Sequence, residues 1–347
     1  MKYVLYLVLT LTAIFFVGCE AKSGQTPNLQ NIMNERSKTS EKLVTSQERS
    51  PLRIACIVSQ DDQYMKMLLL GMSDAAEKAG VSVTLANVYN KLDKEIELIN
   101  TYMKSGVDGI CIHPVSVELS VPILKKAVEN HIKVISSGLK IDDKYNIGYI
   151  ESDQWELGKK TGEECRMFIE KKLKGKANIA ILNYDSLFPE ESNTRTAGFK
   201  SEVTKLPGVK IITEQEAWLS DMAIPQAKNI IDSNPEVNII WAANEGGTVG
   251  ATIAVKNTEK AGKVFIFGTD VSPQLLIMLQ DKDNILQAIT GQQPYKIGYQ
   301  SMEQIINDIR YEQTNKNIII PGVTLSRYNQ RGLGSFIKTF NKMIGTN

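Results

Sequence analysis

With 347 residues, the chain is longer than most single domains, so the sequence predicts two lobes. Its content of 42% hydrophobic and 23% charged residues is ordinary for a soluble globular protein. The formal net charge is only +1 and no run of like charge is present, which excludes the basic surface of a nucleic-acid-binding protein.

The N-terminus has the layout of a secretory signal. Lys2 precedes an apolar run from Tyr3 to Val17, which is too short for a comfortable membrane span. The run leads into Gly18-Cys19, and this resembles the bacterial lipoprotein processing site, in which a small residue precedes a cysteine that is lipidated. We therefore expect residues 1–19 to be a signal peptide and Cys19 to anchor an extracytoplasmic protein to the bacterial membrane. Secretion without a lipid and an uncleaved anchor are the alternatives.

Residues 20–50 are polar and mixed in charge, with few large apolar side chains. This composition is typical of a flexible tether. As a coil of about thirty residues, it would hold the folded part on the order of 30 Å from the membrane.

After Pro51 the pattern changes to an alternation of strands and helices. The first run contains the strand patterns LRIACIV, VSVTLANV, VDGICIHP, IKVISSG and NIGYIES, separated by helical patterns such as MKMLLLGMSDAAEKAG. The second run contains the strand patterns NIAILNY, VKIITEQEA, VNIIWAAN, KVFIFGTD and ILQAITGQQP, separated by helical patterns such as RTAGFKSEVTKLPG. This spacing predicts an α/β fold of two doubly wound, parallel-sheet lobes that meet near Glu151 to Asp153.

The three cysteines after Cys19 match no metal motif in their spacing. Cys56 and Cys111 each lie within an apolar strand pattern, which favours buried, inert thiols over a disulfide. Cys165 leaves an odd number, which also argues against a scaffold built on disulfides.

Polar side chains collect where the predicted strands end. Because ligands of open parallel sheets bind beyond the carboxyl ends of the strands, these side chains are the candidates for a site. They include the segment from Ser59 to Tyr64, His113-Pro114, Asn244-Glu245, Asp270 and Gln292-Gln293-Pro294. Amides and carboxylates suit the recognition of hydroxyl groups, and Tyr64, Trp218 and Trp155 could supply apolar faces against a ring. For a single Asn or Asp, a helix N-cap is the alternative, and for Asp270 the cap alone would suffice.

The sequence offers no catalytic motif. It lacks the Gly-x-Ser-x-Gly, HExxH, GxxxxGK[ST] and Rossmann patterns, and its two histidines are His113 and His131. Asp61 and Asp62 could bind a metal, although adjacent loop carboxylates are more often solvated. We therefore expect no enzymatic activity, no cofactor and no metal.

Six ordered motifs between about Leu52 and Asn329 resemble the type I periplasmic sugar-binding proteins of ABC transporters, which are similar to ribose- and galactose-binding proteins. The motifs are GVDGICIHPVS, NIGYIESDQWELGKKTG, RTAGFKS, AANEGGTVGA, VFIFGTDVSP and QQPYKIGYQS. The resemblance implies two lobes, joined by a hinge of three segments, that close on a ligand in the cleft. The implied lobes are residues 51–153 plus about 293–324, and residues 154–292 plus about 325–347.

The resemblance also implies eight ligand-binding residues. Tyr64 corresponds to an aromatic that stacks on the sugar, and Arg195 to a guanidinium that grips hydroxyls or the ring oxygen. His113 stands where relatives keep a polar residue, but it could simply turn the chain. The full set is Asp62, Tyr64, His113, Arg195, Trp218, Asn244, Asp270 and Gln292.

One motif departs from the family. After the strand that ends in Ser136-Ser137, sugar binders commonly place an Asp-Arg pair, whereas this chain has Gly138-Leu139. Either the ligand is not an ordinary pyranose, or Asp61, Asp62 and Lys140 compensate.

The sequence thus predicts a lipid-anchored solute receptor that captures a small polyhydroxylated ligand, such as a monosaccharide, and delivers it to an ABC permease. The alternative is a receptor of the same fold that signals to a membrane histidine kinase or chemoreceptor. No nucleic-acid partner is expected.

Overall fold

The computed structural model describes residues 52–141, 146–312 and 317–343. The predicted signal peptide, the lipidation site at Cys19 and the predicted tether lie outside these residues.

Two six-stranded sheets form the centres of two lobes within the described residues. The first sheet has the order β11-β5-β4-β3-β1-β2 and the second the order β12-β10-β9-β8-β6-β7. The strands are β1 (Arg53–Val58), β2 (Ser82–Asn87), β3 (Gly109–Ile112), β4 (Lys133–Ser137), β5 (Tyr149–Ser152), β6 (Lys176–Asn183), β7 (Gly208–Glu216), β8 (Ile239–Ala242), β9 (Phe265–Thr269), β10 (Leu286–Gly291), β11 (Asn317–Ile320) and β12 (Val323–Ser326). Strand β12 pairs antiparallel with β10, while the other described pairs are parallel.

Helices connect most successive strands, as the sequence pattern predicts, whereas no described helix lies between β4 and β5 or between β11 and β12. They are α1 (Gln63–Ala79), α2 (Leu92–Ser105), α3 (Val121–Glu129), α4 (Gln154–Lys172), α5 (Pro189–Val203), α6 (Ser220–Ser233), α7 (Glu245–Asn257), α8 (Pro273–Gln280), α9 (Pro294–Tyr311) and α10 (Gln330–Met343). The α/β class and the doubly wound arrangement are therefore confirmed. None of the described helices is long and apolar enough to cross a membrane.

Three short connections carry the chain between the sheets. The first lies between β5 and α4, the second between β10 and α9, and the third between β11 and β12. Helix α9 returns to pack against α1 of the first lobe. Strands β11 and β12, with four residues each, were not among the predicted strands.

The sheets are buried on both faces, as the period-2 geometry of a strand requires. In β1, Ile54, Cys56 and Val58 face one apolar cluster, whereas Ala55 and Ile57 face another on the opposite side. The predicted buried thiols are confirmed because Cys56 pairs in register with Cys111, and both are buried and free.

Helices α4 and α5 of the second lobe approach each other closely at glycines. A Cβ atom at Gly158 of α4 would collide with the backbone oxygen of Arg195, and one at Gly198 of α5 would collide with the backbone oxygen of Trp155. Each glycine thus leaves room for the backbone of the other helix. The two backbones come close enough to place Arg195 beside the start of α4.

We expect Gly158→Ala to lower the free energy of unfolding by about 1–3 kcal/mol, as an overpacked core does. The sign of this change in stability reports on the close crossing, since alanine normally stabilises a helix interior by roughly 0.5–1 kcal/mol relative to glycine. The matched control is Gly334→Ala in α10, where a Cβ would meet no heavy atom within 4 Å and a small stabilisation is expected. Urea unfolding of the two variants measures both effects, and a stabilising Gly158→Ala would contradict the close crossing.

Candidate functional site

A cavity of about 280 Å³ lies between the two lobes, beyond the carboxyl ends of the strands. All eight predicted site residues line it: Asp62, Tyr64, His113, Arg195, Trp218, Asn244, Asp270 and Gln292. Trp155 does not line the cavity and is 44% exposed, so the suggestion that it forms a wall of the site was wrong. We refer to this cavity as the cleft.

The first lobe supplies an aromatic wall. Asp62 caps α1 by accepting a hydrogen bond from the backbone N–H of Met65 at 2.8 Å, which places Tyr64 at the start of the helix. The ring of Tyr64 meets His113 edge-on, and His113 meets Phe188 of the second lobe in the same way, each with centroids 6.2 Å apart. Aromatic contacts therefore cross the cleft.

Gly138 explains how this wall is accommodated. The residue has a φ of +88°, and a Cβ there would lie 2.7 Å from the Tyr64 hydroxyl oxygen and 2.9 Å from Cδ2 of His113. A side chain at this position is therefore excluded unless Tyr64 and His113 move. The rings of the first lobe occupy the space beside the strand end at which the charged pair of sugar binders was expected.

Two of the three residues that could have compensated for the missing pair lie elsewhere. Asp61 pairs with Lys66 at 3.1 Å and does not line the cleft. Lys140 is exposed, with its Nζ 6.0 Å from the centroid of the Tyr149 ring. Of the three, only Asp62 lines the cleft.

Arg195 is the buried cation of the second lobe, with 2% of its surface exposed. Its Nε and Nη2 donate to Oε1 of Gln154, and its Nη1 donates to the backbone oxygen of Ala243 at 2.6 Å. The guanidinium also lies 5.4 Å from the centroid of the Tyr184 ring. Protein groups thus hold the guanidinium in place without a ligand.

Asn244 and Trp218 are joined by a hydrogen bond. The side chain of Asn244 caps α7 by accepting from the backbone N–H of Gly247, and its Nδ2 donates to the backbone oxygen of Trp218 at 2.7 Å. For Asn244, as for Asp62, the cap interpretation is therefore correct, and each residue also lines the cleft.

The cap interpretation is wrong for Asp270. Helix α8 is capped by Ser272 instead, whose hydroxyl accepts from the backbone N–H of Leu275. Asp270 has a φ of +74°, which is a strained conformation for a residue other than glycine. Its carboxylate accepts from the backbone N–H of Glu245 at 3.0 Å and from Nε2 of Gln292 at 3.3 Å.

Several lining residues were not among the predicted set. Tyr184 follows β6, and its position at a strand end could have revealed it. Phe188 and Glu191 escaped because α5 begins at Pro189, upstream of the helix that the sequence pattern indicated. Glu245 stood beside Asn244 at a strand end but was not selected.

Burial controls the ionisation of the site. It lowers the pKa of His113 to about 4, so this imidazole is neutral at pH 7. It raises the pKa values of Glu191 and Glu245 to about 7 and also raises the pKa of Asp62. The cleft therefore holds carboxyl groups that lack favourable surroundings for their charges.

Two hydroxyl groups in the cleft have no hydrogen-bond partner among the described residues. They belong to Tyr64 and Tyr184, and each oxygen is buried. Burial raises the pKa of both phenols, so they remain protonated at pH 7 and can donate. Unpaired buried donors that line a cavity are suited to an incoming acceptor.

The comparison with known protein families agrees with this architecture. Residues 54–312 match the family described as periplasmic binding protein domain. The chain belongs to this family.

Within the described residues, no group of three or more His, Cys, Asp or Glu side chains is arranged to hold a metal ion.

Individual periplasmic binding proteins match over most of their length. The ABC transporter periplasmic-binding protein YphF of Escherichia coli (strain K12) is 29% identical, over 77% of this chain and 83% of that protein. The ribose import binding protein RbsB of Bacillus subtilis (strain 168) is 23% identical, over 92% of this chain and 98% of that protein. An ABC transporter solute binding protein from Bacillus halodurans C-125, solved with bound myo-inositol, superposes with a TM-score of 0.74 at 18% identity. That superposition covers 84% of this chain and 99% of the solved chain and confirms the type I fold.

We expect Tyr184→Phe to leave the stability of the free protein unchanged or to raise it by up to about 1 kcal/mol, because it removes an unpaired buried hydroxyl. The matched control is Tyr295→Phe, whose hydroxyl donates to the Asp74 carboxylate at 2.9 Å and whose loss should cost about 1.5–3 kcal/mol. Thermal and urea unfolding of the ligand-free variants tests this, and a loss at Tyr184 equal to that of the control would show that its hydroxyl is satisfied.

Proposed function

We propose that this protein is the extracytoplasmic solute-binding component of an ABC importer and captures a small polyhydroxylated molecule, of the size of a monosaccharide or cyclitol, in the cleft. All eight residues of the predicted site, from Asp62 to Gln292, contribute to the binding surface. The protein makes and breaks no covalent bond in this role.

One observation carries the proposal: the cleft is enclosed by two lobes that contribute both polar and aromatic side chains. Asp62, Tyr64 and His113 come from the first lobe, whereas Arg195 and Asp270 come from the second. A polyol presents hydroxyl groups at its rim and C–H surfaces on its two faces, which match polar edges and aromatic walls.

The size of the cleft supports a small ligand. Its volume of about 280 Å³ lies just below the range of about 300–1,000 Å³ for small-molecule sites. The relatives are consistent with this size, since one is named for ribose and a solved neighbour holds myo-inositol.

The mechanism is a shift between open and closed arrangements of the lobes. A ligand that contacts both lobes binds the closed arrangement more tightly than the open one, and the difference in affinity drives closure. The connections between the sheets are short enough to act as hinges because few residues have to change their backbone angles.

We expect a ligand to be found in a thermal-shift screen of pentoses, hexoses, deoxysugars, polyols and cyclitols. A ligand at a thousandfold excess over its Kd stabilises the folded protein by about 4 kcal/mol. Asp270→Asn should weaken its binding by roughly ten- to hundredfold in calorimetry, because a charge-assisted hydrogen bond contributes about 1.5–3 kcal/mol. Asp232→Asn, which changes an exposed carboxylate paired with Lys228, should leave the affinity unchanged. A folded, ligand-free protein that binds nothing in this screen would contradict the proposal.

We also propose that Cys19 is lipidated and holds the protein at the membrane, a proposal supported by the sequence before it. Cys19→Ser should abolish incorporation of a radiolabelled fatty acid and shift the protein from the membrane fraction to the soluble fraction. A variant that stays labelled and membrane-bound would exclude Cys19 as the anchor.

The partner is the remaining part of the proposal. Stimulation of a permease's ATP hydrolysis by the ligand-bound protein would support transport. Stimulation of a membrane histidine kinase would support the sensor alternative, which uses the same cleft.

A further inference from the structure

The charges that line the cleft are unbalanced. Four carboxyl groups line it, and among the described residues Arg195 is the one side chain there that carries a positive charge. The remaining base in the cleft, His113, is neutral at pH 7 because burial lowers its pKa to about 4. The carboxyl groups belong to Asp62, Glu191, Glu245 and Asp270, and with all four ionised the formal charge of the lining is −3.

Arg195 is engaged elsewhere. Among the described residues, its three hydrogen bonds run to Gln154 and to the backbone oxygen of Ala243, and it forms no ion pair with a carboxylate. Gln154 in turn donates to Glu191 at 2.8 Å. Burial lowers the pKa of the guanidinium, whereas Tyr184, Asp270 and Glu191 raise it, so its charge acts on Asp270 as well as on Glu191 although it forms an ion pair with neither.

The other three carboxyl groups line the cleft from both lobes. Asp62 belongs to the first lobe, whereas Glu245 and Asp270 belong to the second. Asp270 accepts from the backbone N–H of Glu245 at 3.0 Å. Burial is the main cause that raises the pKa values of Asp62 and Glu245, and the charge of Asp270 raises both further. Repulsion between these groups opposes closure of the empty cleft.

No cation of the described residues forms an ion pair with this trio. Asp62 accepts from the backbone of Met65, Asp270 from Gln292, and Glu245 from the hydroxyl of Ser272. The charge of Lys66 lowers the pKa of Asp62 against the larger effect of burial, but Lys66 forms its ion pair with Asp61. The hydrogen-bond partners of the trio are thus neutral.

An independent feature indicates that a ligand completes the same cavity. Tyr184 is only 4% exposed and lines the cleft, yet its hydroxyl has no partner among the described residues. The cleft thus combines unused hydrogen-bond donors with carboxyl groups that form no ion pair among the described residues.

We propose that the ligand is a polyol with an amino group, an amino sugar or amino cyclitol, whose ammonium group binds between Asp62 of the first lobe and Glu245 and Asp270 of the second. This inference rests on the function proposed above and specifies its ligand class. An ammonium group offers three N–H donors, one for each carboxylate. Because it binds groups of both lobes, it replaces their repulsion with attraction and favours the closed arrangement.

The test is calorimetry of the purified protein with matched pairs of ligands. The pairs are glucosamine with glucose, galactosamine with galactose, mannosamine with mannose, and an amino-inositol with the corresponding inositol, together with the N-acetylated forms, which lack the charge. At about pH 6 an alkylammonium group is fully charged. At least one amine should bind ten or more times tighter than its neutral and N-acetylated counterparts. Its binding should also release protons from the carboxyl groups, measured as a dependence of the heat on the ionisation enthalpy of the buffer.

Asp62→Asn removes the negative charge but keeps the cap of α1, because asparagine also caps a helix well. We expect it to reduce the ratio of amine affinity to neutral-sugar affinity by at least tenfold. The matched control is Asp61→Asn, which changes the adjacent exposed carboxylate outside the cleft and should leave the ratio unchanged. A purely structural role of Asp62 would weaken both ligands equally and preserve the ratio, which would overturn the inference.

The other outcomes are also decisive. If neutral sugars bind as tightly as their amines or more tightly, the inference is overturned while the proposed function stands. If the folded, ligand-free protein binds no amine and no neutral polyol, both are overturned.

Discussion

The parallel direction of the strands is the constraint on which the rest of this structure depends. In a parallel sheet the carboxyl ends of all strands reach the same edge, so the residues that follow β1 and β3 in one lobe lie together, as do those that follow β6, β8 and β9 in the other. The short connections bring the two edges face to face. A cleft with chemistry from both lobes follows, although its residues are distant in sequence.

The second lobe must keep a guanidinium buried in the wall of this cleft. A buried charge is costly unless it is hydrogen-bonded, and Gln154 and the backbone of Ala243 meet this requirement for Arg195. The arrangement depends on Gly158 and Gly198, since their lack of side chains allows α4 to approach α5. Helix packing thus determines where a polar group of the site is held.

The first lobe has aromatic rings beside Gly138, at the strand end where the resemblance to sugar binders led us to expect a charged pair. Tyr64 and His113 crowd the backbone of Gly138, and burial keeps His113 neutral. The first lobe consequently contributes no positive charge to the cleft, while Asp62 adds a negative one. The electrostatic character of the site follows from this local packing as much as from the titratable residues themselves.

Much of this could be predicted from the sequence because it depends on local patterns. Alternating apolar runs predicted the strands, polar residues at their ends indicated most of the site, and the family resemblance added Arg195. All eight candidates line one cleft. Patterns of this kind could not locate the start of α5, which concealed Phe188 and Glu191, nor distinguish the caps Asp62 and Asn244 from Asp270, which caps no helix.

The sequence by itself determined the α/β class, the two lobes and the strand ends at which polar side chains collect, because the periodicity and spacing of strands and helices are local properties of the chain. Only the tertiary structure decided that Trp155 lies outside the cleft, that Gly138 must lack a side chain, and that Arg195 is engaged by Gln154 and Ala243. These features arise from contacts between segments far apart in sequence, and burial and pairing at such contacts depend on how the helices and lobes pack.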